Sequence, residues 1–163
     1  MKAKQIFEFT RGDDPLDTLG IGYKAKIYKF FDDLGVHRNN YTIEGKQIKI
    51  IDNLSFYNCT SLTKLPDNLK IFGYLNLRNC INLVKLPDNL YIGGWLNLFG
   101  CISLVKLPEN LLISSWLNLK GCYNLLELPD NLTVRNKILV SPDQPELIKC
   151  ILHSKFKKQL LYE

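Results

Sequence analysis

The 163-residue chain has no apolar run near the roughly 18 residues that a bilayer-spanning helix requires, and it does not open on a basic-then-apolar leader pattern. We therefore expect a cytoplasmic protein. Histidine is scarce, with only His37 and His153, which stand far apart in the sequence. There is no C-x-x-C pair, no glycine-rich phosphate loop and no grouping of serine, histidine and acid from which a catalytic centre could be assembled. Catalysis, a resident cofactor and a bound metal are accordingly not expected. A concentrated basic arm is also missing. Lys plus Arg against Asp plus Glu runs 8 to 7 over residues 1–48, 9 to 6 over 49–141 and 4 to 3 over 142–163, for a net charge of +5. Charge so evenly spread allows nucleic acid as a partner without prompting it.

What the chain has in abundance is periodicity. Cys59, Cys80, Cys101 and Cys122 advance by 21 residues, as do Pro66, Pro87, Pro108 and Pro129. The apolar positions keep the same step. Leu62, Leu83, Leu104 and Leu125 form one column, Leu65, Leu86, Leu107 and Leu128 a second, and Leu69, Leu90, Leu111 and Leu132 a third. Further columns run through Ile71, Ile92, Ile113 and Val134; through Leu54, Leu75, Leu96, Leu117 and Ile138; and through Phe56, Leu77, Leu98, Leu119 and Val140. Within a coil, Leu90-x-Ile92 and Leu96-x-Leu98 alternate with period 2, the pattern of half-buried strands. Two short strands per 21-residue coil are predicted. The intervening Leu-Pro-Asp-Asn-Leu segments, with Glu109 for Asp in the third, read as turns, because proline fixes its own φ and asparagine tolerates turn geometry. One coil cannot bury its own leucines. Successive coils must therefore stack as parallel strands about 4.8 Å apart around a continuous core.

The run Leu96-Asn97-Leu98-Phe99-Gly100-Cys101-Ile102-Ser103-Leu104 resembles the core of the leucine-rich repeat, and the Leu-Pro-Asp-Asn-Leu segment resembles the short bacterial class of such repeats. Residues 50 to 140 carry the resemblance. It implies an α/β repeat fold: a short parallel-β leucine-rich-repeat solenoid, two short strands per coil, with helical caps at both ends. The position three residues before each Leu-x-Leu is usually apolar in that family, whereas here it reads Phe72, Gly93 and Ser114. The opening Phe9-Thr10-Arg11-Gly12-Asp13-Asp14-Pro15, with Leu19-Gly20-Ile21-Gly22, is similar to small leucine-rich proteins of bacteriophages and their hosts. That similarity implies a phage-type protein that acts in a bacterial cytoplasm by binding and inhibiting a host enzyme or defence complex.

An open stack would expose leucines and unpaired strand edges, so both flanks are expected to act as covers. We divide a single domain, 1–163, into an N-terminal helical cap (1–47), repeats (48–141) and a C-terminal helical cap (142–163). Asp14-Pro15 can start a helical turn. Ile27, Phe30, Phe31 and Leu34 fall on one helical face closed by Gly35. Tyr41-Thr42-Ile43 and Ile48-Lys49-Ile50 then lead into the repeat register. At the other end Pro145 suits a first helical position. Leu147, Ile148, Ile151 and Leu152 form an apolar face, with Lys155, Lys157 and Lys158 near the helix end.

The cysteine ladder is read as a column of small buried residues rather than a metal site, because zinc ligands come in close pairs. Cys150, off that ladder, is read as core. Asp67, Asp88, Glu109 and Asp130 are read as solvated turn residues. The stronger functional signal lies between and beside the inward leucines, where side chains point outward and stacking aligns them. One outward column is Asn53, Tyr74, Trp95, Trp116 and Lys137. The next is Ser55, Asn76, Asn97, Asn118 and Leu139, and the third Tyr57, Arg78, Phe99, Lys120 and Ser141. Aromatic residues and arginine on an exposed face resemble a binding hot spot. The alternative is structural: rings that stack on one another, and an asparagine column that forms a hydrogen-bond ladder. We expect a non-catalytic protein-binding module that uses Tyr74, Trp95, Trp116, Asn76, Asn97, Asn118, Arg78, Phe99 and Lys120. The competing readings are stacking of nucleic-acid bases on the same rings and burial of the face in a symmetric homodimer.

Overall fold

The computed structural model describes residues 21–162. The expected turn at Asp14-Pro15 and the Phe9–Pro15 motif lie outside the described residues. Helix α1 (Ile21–Asp33) opens the described chain. It buries Ile27, Phe30 and Phe31, as the helical spacing predicts, and half-buries Leu34. Gly35 follows at φ +73°, the left-handed geometry that a helix end favours and glycine alone adopts freely.

A 3-10 turn (Arg38–Asn40) leads into strands β1 (Tyr41–Glu44) and β2 (Gln47–Ile50), an antiparallel hairpin. From β2 onward the coils stack in parallel with the 21-residue step: Ile48 pairs Leu69, and Ile50 pairs Ile71. One sheet continues through β4 (Leu69–Ile71), β6 (Tyr91–Ile92), β8 (Leu112–Ile113) and β10 (Thr133–Val134). The other contains β3 (Leu54–Ser55), β5 (Leu75–Asn76), β7 (Leu96–Asn97), β9 (Leu117–Asn118) and β11 (Ile138–Val140). The result is a β-solenoid of about five turns with two short helices. The leucine, isoleucine and cysteine columns of both sheets meet in one buried cluster.

Between the two strands of each coil the backbones approach closely. A Cβ built on Gly93 would lie 2.1 Å from the Phe72 carbonyl oxygen, so the backbone at this one coil leaves no room for a side chain, although the equivalent positions hold Phe72 and Ser114. The departure at Phe72, Gly93 and Ser114 arises because the corner does not pack inward, and the exposed Phe72 ring rests instead against Tyr91, with centroids 6.0 Å apart.

The cysteine column lines the opposite edge of the β3–β11 sheet. Cys80, Cys101 and Cys122 are buried, and their thiols donate to the carbonyls of Phe56, Leu77 and Leu98 at 3.0–3.1 Å. The next carbonyl in that column, on Leu119, is met by the buried amide of Gln144 at 3.0 Å. Gln144 also donates to the Cys122 carbonyl at 3.2 Å and accepts from the Ser141 amide at 2.8 Å. One glutamine thus takes over the task of the cysteines where the repeats stop.

The C-terminal cap departs from expectation in three ways. Helix α2 (Pro145–Leu152) has Pro145 in its first turn and buries Leu147 and Ile151, but Leu152 is exposed. Lys155, Lys157 and Lys158 lie beyond the helix, the latter two in a 3-10 turn. The chain then forms β12 (Leu160–Tyr162), which pairs in parallel with β11 and ends the second sheet. This cap is therefore a helix plus a strand. The reason is that β11 would otherwise leave its ladder groups unpaired, and a helix cannot satisfy a strand edge.

Candidate interaction face

The outward side of the β3–β5–β7–β9–β11–β12 sheet gathers the residues singled out in the sequence. Tyr74 and Trp95 stack with centroids 4.0 Å apart and planes 4° from parallel, and Trp95 and Trp116 stack at 4.9 Å and 6°. The parallel register produces this geometry, because Leu75, Leu96 and Leu117 pair in sequence and the residue before each is carried to the same place one coil further on. Such contacts contribute about 0.5–1.5 kcal/mol each beyond the area they bury. Beside them, the Arg78 guanidinium lies 4.3 Å from the Phe99 ring centroid and 6.0 Å from that of Tyr57. Lys120 follows in the same column and is half-buried.

Asn76, Asn97 and Asn118 fall between these columns but do not form the cross-coil ladder of the structural alternative. Each side-chain oxygen accepts from the amide two residues on in its own coil: Arg78 at 3.1 Å, Phe99 at 3.0 Å and Lys120 at 3.1 Å. The short asparagine side chain reaches its own turn more readily than the neighbouring coil. Cross-coil asparagine pairs form elsewhere, from Asn79 to Asn58 at 2.9 Å and from Asn131 to Asn110 at 3.0 Å.

Self-stacking limits what the face can do. The middle ring, Trp95, has both faces covered and presents only its edge to solvent. Trp116, at the end of the stack, has its far side against a groove of about 660 Å³. There the columns change character. The ring column gives way to Lys137, and the asparagine column gives way to Leu139 and, on β12, Leu161. Arg135 and Lys158 stand at the margins.

The remaining candidates are dispersed. His37 precedes the 3-10 turn and His153 caps α2 at the opposite end of the chain. Asp67, Asp88, Glu109 and Asp130 are exposed, as read from sequence. Among the described residues no cluster of three or more His, Cys, Asp or Glu is arranged to hold a metal ion. Burial pushes the thiols of Cys80, Cys101 and Cys122 up to about 12, so they are protonated at neutral pH and poor nucleophiles. No helix among the described residues is long and apolar enough to cross a membrane.

Two features escaped the sequence reading. Val84, Val105 and Leu126 form an exposed apolar column on the loop side, 49%, 49% and 58% accessible. They keep the 21-residue step, which is the signal the sequence carries for them, but the step alone does not distinguish them from the buried columns. Leu161 lies on a strand where the sequence pattern predicts a helical cap, and Lys158, expected near the helix end, stands instead in the 3-10 turn beside the groove. No protein-family model, curated protein or solved structure matches the chain.

Proposed function

We propose that this chain is a non-catalytic recognition module that binds a protein partner through the outward face of the β3–β12 sheet. The observation that carries the reading is the stack of Tyr74, Trp95 and Trp116 flanked by Arg78 on Phe99. It is a rigid, half-buried ledge of aromatic edges with positive charge beside it. A preordered ledge loses little conformational entropy on binding, and tryptophan, tyrosine and arginine are the residues that dominate interface energies. We further assign the coils to the leucine-rich-repeat kind, on the Leu-x-Leu spacing and the Leu-Pro-Asp-Asn-Leu turns, and a host enzyme or defence complex in a bacterial cytoplasm as the partner.

Nucleic acid is the weaker reading. Base stacking needs open ring faces, and both faces of Trp95 and one face each of Tyr74 and Trp116 are taken by their neighbours. The test is affinity capture from bacterial lysate with wild type and the Trp95→Ala/Trp116→Ala double variant, both first shown to be folded by circular dichroism. The expected result is a nuclease-resistant protein band lost in the variant. Retention of that band in the variant would remove the face from the interface, and material lost on nuclease treatment would point to nucleic acid.

A further inference from the structure

The groove beside Trp116 differs from the rest of the face in a way that specifies a ligand. Along the sheet, outward positions of the middle column are asparagines that satisfy their own turns. At the last two strands the same column places Leu139 and Leu161, both half-buried and outward-facing, where burial in the core cannot be their purpose. Three cations, Arg135, Lys137 and Lys158, border this apolar floor. Among the described residues none of the three forms an ion pair, and no acidic residue lines the groove. Uncompensated positive charge around an apolar floor that ends on a tryptophan is complementary to an apolar or aromatic group flanked by carboxylates. The volume, about 660 Å³, falls within the range of sites that hold small ligands.

We propose that the groove is the subsite for an acidic segment of the protein partner. An apolar or aromatic side chain rests on Leu139, Leu161 and Trp116, and neighbouring carboxylates pair with Arg135, Lys137 and Lys158. This rests on the reading of the sheet as a protein-binding face. The groove is continuous with that face through Trp116, so a segment held there runs on along the aromatic ledge. A single-stranded nucleic acid would need several open rings in succession, and the stack leaves outer faces only at its two ends, on Tyr74 and Trp116.

The test uses the whole 163-residue chain, with Trp116 beside the groove and Trp95 stacked on it as fluorescent reporters. Acetyl-Asp-Glu-Phe-Glu-Asp-amide is titrated in parallel with its Asn/Gln analogue and with a thymidine dodecamer. The acidic peptide is expected to bind at least about tenfold tighter than the neutral one. Arg135→Glu/Lys137→Glu is expected to remove that preference, since charge-assisted contacts contribute enough for about tenfold each. Lys137→Gln, the milder change, should weaken the acidic peptide alone. These positions are exposed, and circular dichroism of each variant checks the fold. Equal affinity for the two peptides, or no effect of charge reversal, would overturn the assignment. Tighter binding of the dodecamer with a steep salt dependence would overturn it in favour of nucleic acid. If the peptides fail while the captured protein is still lost with Trp95→Ala/Trp116→Ala, the groove assignment falls and the face reading stands. If capture survives that double variant, the face reading falls as well.

Discussion

At the scale of single residues, the solenoid depends on left-handed residues at two recurring positions of the coil. Asn58, Asn79, Gly100 and Gly121 occupy equivalent positions at φ +58°, +59°, +70° and +74°, and Asn68, Asn89 and Asn110 form a second such column at the turns. Asparagine and glycine are the residues that accept this geometry, which costs other residues about 1–2 kcal/mol. A Cβ at Gly100 would also sit 2.5 Å from the Asn79 side-chain oxygen, which the cross-coil bond to Asn58 holds in place. Gly100→Ala should therefore lower the free energy of unfolding in urea by about 1–3 kcal/mol, whereas Asn79→Gly, which keeps the backbone geometry and loses one exposed hydrogen bond, should cost less than about 1. Equal effects would mean that the backbone conformation is not what selects these residues. The turn asparagines at 68 and 89 were legible from the Leu-Pro-Asp-Asn-Leu pattern. The 58–121 column was not, because its conformation follows from how the strand turns toward the cysteine edge.

At the scale of elements, strands of two or three residues have no independent stability, and the ends of the stack decide whether it persists. The front is closed by α1 and the β1–β2 hairpin. Phe31 is fully buried, its ring 4.5 Å from that of Tyr41, and Phe30 reaches Phe56 of the first coil at 6.4 Å. Phe31→Ala should destabilise the protein by about 3–5 kcal/mol, the cost of emptying an aromatic core site. Tyr41 provides the contrast, since its buried hydroxyl has no hydrogen-bond partner. Tyr41→Phe should be neutral or stabilising, because it removes an unsatisfied polar atom and keeps the ring. Chemical denaturation of both variants checks the pair. A loss below about 1 kcal/mol for Phe31→Ala would show that α1 is not a structural cover. The helical stripe of this cap could be read directly. The strand in the rear cap could not, because nothing within Leu160–Tyr162 indicates that β11 needs a neighbour.

At the scale of the whole molecule, the buried thiols make stability depend on pH in one direction. Cys80, Cys101 and Cys122 titrate near 12 in the folded protein against an ordinary 9.0, from burial first and from the neighbouring thiols second in Cys80 and Cys101. The unfolded chain releases these protons sooner, so their contribution is fully present below pH 9 and is lost as pH rises toward 12. Tyr41 and Tyr23, both raised by burial first, add to the loss at the upper end. Urea midpoints should be flat from pH 7 to 8.5 and then fall, with a slope approaching roughly 1.4 kcal/mol per pH unit for each thiol. Cys80→Ala/Cys101→Ala should flatten that fall while lowering stability at neutral pH. An unchanged profile in the double variant would show that the thiols are not its source.

The coil is dictated by the repeat: its length of 21, its two strands, its inward columns and its outward rings all follow because a strict repeat can bury its leucines only by stacking in register. The helical spacing of the sequence likewise makes α1 present Ile27, Phe30 and Phe31 to the core. What the asparagines do emerges only from the folded coils, since choosing between a local turn and a cross-coil ladder depends on small differences in reach that spacing does not carry. The tertiary structure alone returned the chain as β12, drew Gln144 into the cysteine column and set Leu161 and Lys158 beside Trp116. Those contacts join residues outside the repeat to residues within it, and no periodicity relates the two.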